Sequence, residues 1–390
     1  MRITGVETRI VDAGMRNWVF VKVLTDQPGL HGWGEATLEW KTRAVAACVD
    51  DLTPLVAGQD PLAIEHLVQT MTKHGFWRLG AIGLSAVSGI EQALWDIKGK
   101  ALGVPVWQLL GGKVRERVRL YTHLALGDSA AVYEAPDVGR LKAHADDIVA
   151  AGYSAFKVLL VPPTHYRAAL PDVRQTGMLM DALRDHVGDG VDIMVDLHGR
   201  PPSVAVARAY VEALTPGRPL FVEEVLPPGH EIAMRDVAVA SKVPLATGER
   251  LYARPDWLAL FAHRSVDIVQ PDLSHCGGLW EARKIAAMAE SHLMGVAPHN
   301  PNGPVAGAAA LHFDIATPNS VIQETMLRSV PWYDEVVRST LVVQDGHWLA
   351  PDAPGLGIEI DESAAARHPM GAEPMLARSA VAADGTVLDW

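Results

Sequence analysis

Cysteine is nearly absent from this chain: Cys48 and Cys276 are the two present in 390 residues. Two cysteines cannot build a disulfide framework, so a reducing compartment is expected, and with it a cytoplasmic location. Long apolar runs are missing as well. No stretch approaches the roughly 18 apolar residues of a membrane span. The first twenty residues hold no continuous apolar segment ahead of a small-residue cleavage site, so no secretory leader is expected. Basic runs of five or more are lacking, and the formal net charge is -12. Nucleic acid and anionic membrane surfaces are therefore not expected as partners. An acidic protein that binds an anionic small molecule needs a concentrated local positive charge, which a metal ion would supply. What remains is ordinary globular composition, 49% hydrophobic and 21% charged, without repeats or low-complexity stretches. It suffices for two or three domain-sized units and a core that needs no staples.

Three rhythms follow one another along the chain. Residues 1–35 alternate in "MRITGVETRIV", "NWVFVKVLTD" and "LHGWGEA", which predicts short antiparallel strands. "TRAVAACVDDLTPLVAG" and "AIGLSAVSGIEQALWDIKGKALG" then carry apolar residues at helical spacing, and Gly103 with Pro105 ends the second helix. Residues 1–116 thus read as an α+β unit. From 117 to 350, eight apolar strand candidates alternate with amphipathic stretches: "RVRLYTHL", "SAFKVLL", "VDIMVDL", "PLFVEEV", "VPLATGE", "VDIVQPD", "LMGVAPH" and "SVIQET". That alternation predicts a parallel (β/α)₈ barrel. Residues 351–390, with "APGLGIEIDE" and "DGTVLDW", read as loops and short strands that fold back onto the first unit. "VPPTHYRAALPDV" (161–173) reads as an irregular insertion over the barrel mouth. The stretches around Trp77 and Trp107 read as core or oligomer contacts.

Polar residues end the strands. Asp196, Glu223, Glu249, Asp272, His299 and Glu324 follow one another at intervals of 23 to 27 residues, about one βα unit each. In such barrels the active site gathers at the C-terminal strand ends. Three carboxylates, Asp196, Glu223 and Glu249, cannot converge without a cation, because like charges disfavour ionisation. An all-oxygen set suits Mg²⁺ first and Mn²⁺ second, and argues against zinc. Asp272 beside His299 orients an imidazole as a general base. Glu324, if protonated, can donate to a developing anion; if ionised, it pairs with a sugar hydroxyl or a cation. Lys157 in "FKVLL" can neutralise a substrate carboxylate, and Leu159 leaves no second lysine there. Side chains two apart on a strand point the same way, so if Asp196 faces the metal, His198 faces the same cavity and can protonate a leaving hydroxyl, with Gly199 allowing a sharp turn.

Taken together, "GWGEA", "FWRLGAIGLSAVSGIEQALWDIKGKALGVPVWQLLGG", "DLHGR", "FVEE", "GER", "QPDLSHCGG", "APHNPNGP" and "APGLGIEIDE" identify a resemblance to the enolase superfamily over nearly the whole chain. It is similar to the mandelate racemase subgroup, and within it to the acid-sugar dehydratases of the D-galactonate type, with some D-mannonate features. That resemblance implies an α/β fold: a modified (β/α)₇β barrel with an α+β capping domain. It implies Mg²⁺ on Asp196, Glu223 and Glu249, the His299–Asp272 dyad as proton acceptor, His198 as the acid that expels the 3-hydroxyl, and Glu324 assisting at the carboxylate. Lys157 matches a substrate-carboxylate contact. Arg250 and the capping-domain segments "MRNWVF" and "ATLEWKTR", with Arg16, Asn17, Trp18, Glu39 and Trp40, are the candidates for choosing the substrate. Their mix reproduces neither dehydratase type, Val225 stands where galactonate enzymes carry proline, and no role attaches to Tyr166 or Arg167. The implied activity is loss of water from a sugar acid to give a 2-keto-3-deoxy acid, in a homo-oligomer. The alternatives are a racemase, epimerase or cycloisomerase, against which Leu159 argues, and a non-catalytic sugar-acid-binding member.

Overall fold

The computed structural model describes residues 1–124, 137–373 and 380–389. Strands β1 (Ile3–Asp12), β2 (Asn17–Thr25) and β3 (His31–Glu35) form an antiparallel sheet in that order. Helices α1 (Thr42–Val56) and α3 (Gly80–Leu102) pack against it, and α2 (Ile64–Lys73) packs on both of them. α3 is buried almost all round from Gly83 to Gly99, as befits a helix held between two layers. It ends at Gly103, which takes φ +69° and returns its N–H to the last turn.

The spacing of glycines in β3 explains how close α3 lies. A Cβ at Gly34 would collide with the carbonyl oxygen of Gly89, and one at Gly32 with that of Ala93. Gly34→Ala should therefore cost about 1–3 kcal/mol or more, as overpacking does. A thermal melt would read this as a lower midpoint; an unshifted midpoint would contradict the contact.

The barrel strands are β4 (Arg117–His123), β5 (Ala155–Leu159), β6 (Asp192–Asp196), β7 (Val222–Glu223), β8 (Leu245–Thr247), β9 (Ile268–Val269), β10 (Gly295–Val296) and β11 (Gln323–Glu324). Each falls inside its predicted segment. β4 to β10 pair in parallel in chain order, β11 pairs with β4, and a bridge from Val296 to Ser320 closes the ring. Tyr121, Ala155, Met194, Phe221, Ala246, Ile268, Ala297 and Ile322 form one buried cluster, one residue from each strand segment, and fill the lumen.

Between the strands run α4 (Val138–Ala150), α5 (Leu170–Val187), α6 (Val204–Leu214), α7 (Glu231–Ala240), α8 (Leu258–His263), α9 (Leu279–Ser291) and α10 (Pro304–Ala316). After β11 the chain makes only a four-residue helix, Tyr333–Val336, before β12 (Val337–Ser339) and the β13 (Val343–Gln344) and β14 (His347–Leu349) hairpin. β14 adds antiparallel to β4. The barrel is thus (β/α)₇β, and the regular eighth unit suggested by the alternation is corrected. β15 (Ile358–Ile360) pairs with β12 and lies on the N-terminal unit. There Trp33 Nε1 donates to Glu359 at 2.8 Å, Leu356 N donates to Asp96 at 2.8 Å, and Arg9 and Lys22 pair with Glu362.

Two expectations change, the extent of the 161–173 insertion and a core place for Trp77, while Trp107 packs against the core as expected. The 161–173 segment is irregular only through Ala169, since α5 begins at Leu170. Trp77 is 81% exposed, so it is not core. Trp107 is half-buried and donates to Pro351 O at 2.7 Å. Among the described residues no helix is long and apolar enough to cross a membrane.

Candidate active site

Asp196 and Glu223 end β6 and β7 and lie in register, and Glu249 stands two residues past β8. Each offers an oxygen within 4.8 Å of the others'. Burial pushes all three carboxyls up, and neighbouring carboxylates add to it, Glu224 for Asp196 and other members of the trio for Glu223 and Glu249. Asp196 is raised despite Lys157. Glu223 is raised by Asp196 and Glu324 despite Lys157. Glu249 is raised well above its usual range despite His299. A buried trio of acidic oxygens that resists ionisation has the chemistry to hold a hard cation.

On one side stands a line of charge. Lys157 Nζ lies 2.6 Å from Glu223 Oε1 and 2.9 Å from Glu324 Oε1. His123 Nε2 is 2.5 Å from the same Glu324 oxygen, and Asn300 N donates to the other at 2.7 Å. Burial opposes ionisation of Glu324, yet Lys157 and His123 hold it well below the usual carboxylate range. Glu324 is therefore the ionised partner of the two readings left open by the sequence. Gln270 Nε2 donates to Glu223 Oε2 at 2.8 Å, fixing the second edge of that ligand.

On the other side is the dyad. His299 Nδ1 meets Asp272 Oδ2 at 2.8 Å, and its Nε2 points to Glu249 Oε2 at 3.3 Å. Asn302 Nδ2 also donates to Asp272 Oδ2, at 2.9 Å, and Ser274 N to Oδ1, at 2.7 Å. Burial alone would lower the His299 imidazolium. Glu249 and Asp272 overcome it and push it up to about 10. Because Glu249 belongs to both groups, a cation that neutralised it would remove the largest upward pull on His299 and bring the imidazole toward the range of a base at neutral pH.

His198 reaches the cavity by a route other than the expected one. β6 stops at Asp196, and His198 takes φ +57°. Its position is set by a left-handed turn, not by strand alternation. Its N–H donates to Asp196 Oδ1 at 2.6 Å, so a carboxylate of the trio itself holds the turn. Gly199 N donates to Glu224 O at 2.7 Å, and Glu224 is left-handed too, at φ +48°. Such backbone costs about 1–3 kcal/mol per residue and persists where surroundings over-determine it.

His123, Lys157, Asp196, His198, Glu249 and His299 line one cavity of about 780 Å³ between barrel mouth and N-terminal unit, while Glu223, Asp272 and Glu324 are fully buried beside them. Arg16, Trp18, Glu39 and Trp40 form its outer wall, and Arg16 pairs with Glu39 at 2.9 Å. Asn17 does not face it: its side-chain amide donates to Gly371 O at 3.2 Å and accepts from Gly371 N at 2.8 Å, a correction to the sequence reading. Arg250 lines the wall, but its guanidinium is committed to Glu224, with Nε at 2.9 Å. Leu159 lines the cavity, two residues along β5 from Lys157. No residue of 161–173 does, which corrects its placement over the mouth. His123, Gln270, His275 and Asn302 were missed by sequence reasoning. His123 ends β4 and obeys the same strand-end rule that found the others.

Comparisons with known proteins bear on this geometry. Residues 4–111 match the family described as mandelate racemase / muconate lactonizing enzyme, N-terminal domain, and residues 140–364 match enolase C-terminal domain-like. The chain is 40% identical over 382 residues to D-galactonate dehydratase of Xanthomonas campestris pv. campestris, covering 96% of each chain. It is 39% identical to that of Variovorax paradoxus, covering all of both. A solved mandelate racemase/muconate lactonizing enzyme from Sulfitobacter sp. superposes with TM-score 0.88 at 35% identity, over 96% of this chain and 97% of that one. A candidate galactarate dehydratase from Agrobacterium radiobacter, with sodium and L-malate bound, gives 0.88 at 33% identity over the whole of both chains.

Proposed function

Because the chain belongs to the mandelate racemase / muconate lactonizing enzyme family of the enolase superfamily, we propose that its cavity removes water from an aldonic acid such as D-galactonate to give the 2-keto-3-deoxy acid. The coarser statement is established: the chain is a sugar-acid dehydratase, a hydro-lyase. The observation that carries the finer reading is that two histidines, His299 and His198, line one cavity beside three converging carboxylates.

His299, oriented by Asp272, takes the proton from C2. Lys157, held between Glu223 and Glu324, presents a fixed positive charge to the substrate carboxylate. Asp196, Glu223 and Glu249 would hold Mg²⁺, whose charge stabilises the oxyanion that develops when C2 loses its proton. His198 gives a proton to the departing 3-hydroxyl, which leaves as water, and the enol so formed takes up a proton at C3 to become the ketone. Arg16, Trp18, Glu39 and Trp40 face the far end of the sugar. Leu159 occupies the place where an isomerase would carry a second lysine, which favours elimination over racemisation.

The test is a screen of Mg²⁺-loaded protein against aldonic and aldaric acids, with detection of 2-keto-3-deoxy products. A hit fixes the substrate; a blank with proton exchange at C2 would move the reading to an isomerase. In His198→Asn, dehydration should fall about 10²–10⁴-fold, the worth of a placed acid, while exchange of the C2 proton with solvent continues. Normal dehydration by this variant would remove His198 from the mechanism.

A further inference from the structure

The two loops that carry the dyad share an unusual construction. One leaves β9, bears Asp272 and His275, and enters α9; the other leaves β10, bears His299 and Asn302, and enters α10. Each helix has glycine at its N-cap, Gly278 and Gly303, so neither has a side chain of its own to accept the first N–H groups. The N-terminal unit supplies the acceptors. Glu91 on α3 receives Leu279 N and Trp280 N, both at 2.9 Å, and Trp95 Nε1 at 2.7 Å. Glu35 at the end of β3 receives Gly303 N at 2.6 Å, Val305 N at 3.0 Å and Ala306 N at 2.9 Å. Both glutamates are fully buried.

One face of α3 reads the rest of the first loop. Ser85 Oγ meets His275 Nδ1 at 2.9 Å, Ser88 Oγ accepts Gly277 N at 3.0 Å, and Gln92 Nε2 donates to Leu273 O at 3.1 Å. Gln92 Oε1 also accepts Glu35 N at 3.0 Å, which joins the two docking points. The glycines leave room for this: a Cβ on Gly278 would collide with the Glu91 carboxylate, and one on Gly303 would sit 2.5 Å from Glu35 Oε1. None of these contacts touches Asp196, Glu223 or Glu249.

We infer that Glu35 and Glu91 are positioning residues for the Asp272–His299 dyad: by capping α9 and α10 from the N-terminal unit, they set the two loops on which the base and its partner stand. The physical basis is the strength and direction of bonds from helix N-termini to a buried carboxylate, together with the sensitivity of proton transfer to displacements of about 1 Å. Carboxylate trio and dyad are thereby held by different means, the first by the barrel strands and the second by the N-terminal unit. The inference rests on the proposed role of His299 as base.

The experiment uses full-length, Mg²⁺-loaded Glu35→Gln and Glu91→Gln with three readouts. ¹⁵N-histidine NMR follows the His299 Nδ1 proton bonded to Asp272. Turnover is compared for substrate with and without deuterium at C2. Calorimetry measures Mg²⁺ affinity. The expected result is a displaced or broadened His299 signal, kcat lower by about 10- to 100-fold, a larger deuterium isotope effect, and unchanged Mg²⁺ affinity. An unmoved signal with unchanged kcat would overturn the inference, as would parallel loss of Mg²⁺ affinity and kcat, the mark of a general loss of structure. If either variant does not fold, Ser88→Ala removes only the side-chain bonds that include Gly277 N, and is judged by the same signal and isotope effect. The NMR readout needs no substrate. Wild-type protein that shows the bonded His299 signal but exchanges no C2 proton would therefore sink the functional reading, not the positioning one.

Discussion

Replacing His299 with asparagine is expected to lower dehydration by about 10²–10⁴-fold or more, and to stop exchange of the C2 proton with it. Asparagine keeps polarity near Asp272 but has no site that accepts a proton at neutral pH. Loss of both reactions together distinguishes this variant from His198→Asn, which should lose only the first. The prediction draws on the 2.8 Å bond from Nδ1 to Asp272, which turns Nε2 toward Glu249 and the cavity. Proton NMR in D₂O with product assay checks it. An asparagine variant that still exchanges C2–H would mean that another group is the base.

Stripping the metal is expected to have an effect as large. Dialysis against EDTA should reduce turnover by about 10³-fold or more, since a Lewis-acidic cation contributes several kcal/mol to such a transition state, and Mg²⁺ should restore it. A readout without substrate accompanies this. Asp196, Glu223 and Glu249 are each driven toward the neutral acid by burial and by neighbouring carboxylates, and a cation relieves that stress in the folded state alone. At 100 times its dissociation constant, Mg²⁺ should add about 2.7 kcal/mol of stability by mass action, seen as a higher melting midpoint. Full turnover in metal-free protein, or a midpoint indifferent to Mg²⁺, would contradict the site. Glu223→Ala should reproduce the loss irreversibly, because it also strips Lys157 and Gln270 of a partner.

The sequence was most legible where local chemistry repeats. From β6 to β11 each strand segment is an apolar run followed by a polar residue at a steady interval, so Asp196, Glu223, Glu249, Asp272, His299 and Glu324 could be set at one rim from the sequence. Where reading went astray, a specific rule was misapplied or had no local trace. His198 was placed by strand alternation, whereas its chain has already turned left-handed. Asn17 was grouped with Arg16 and Trp18, although neighbours in an extended chain face opposite sides. His123 was passed over because its strand segment was drawn one residue longer, through Leu124. Glu35 and Glu91 act 268 and 188 residues away from the groups they bind, a distance over which neither periodicity nor spacing carries a signal.

The borrowed caps on α9 and α10 also bear on how such an enzyme can be recombined. On the proposed reading, the segment that faces the far end of the sugar and the segment that secures the base belong to the same N-terminal unit. A chimera that grafts this unit from a relative, to acquire a new substrate, imports new acceptors for two barrel helices at the same time. Unless the donor brings carboxylates equivalent to Glu35 and Glu91 on an equally close α3, the graft trades catalytic alignment for specificity. Substitutions confined to the cavity wall at Arg16, Glu39 and Trp40 avoid that exchange.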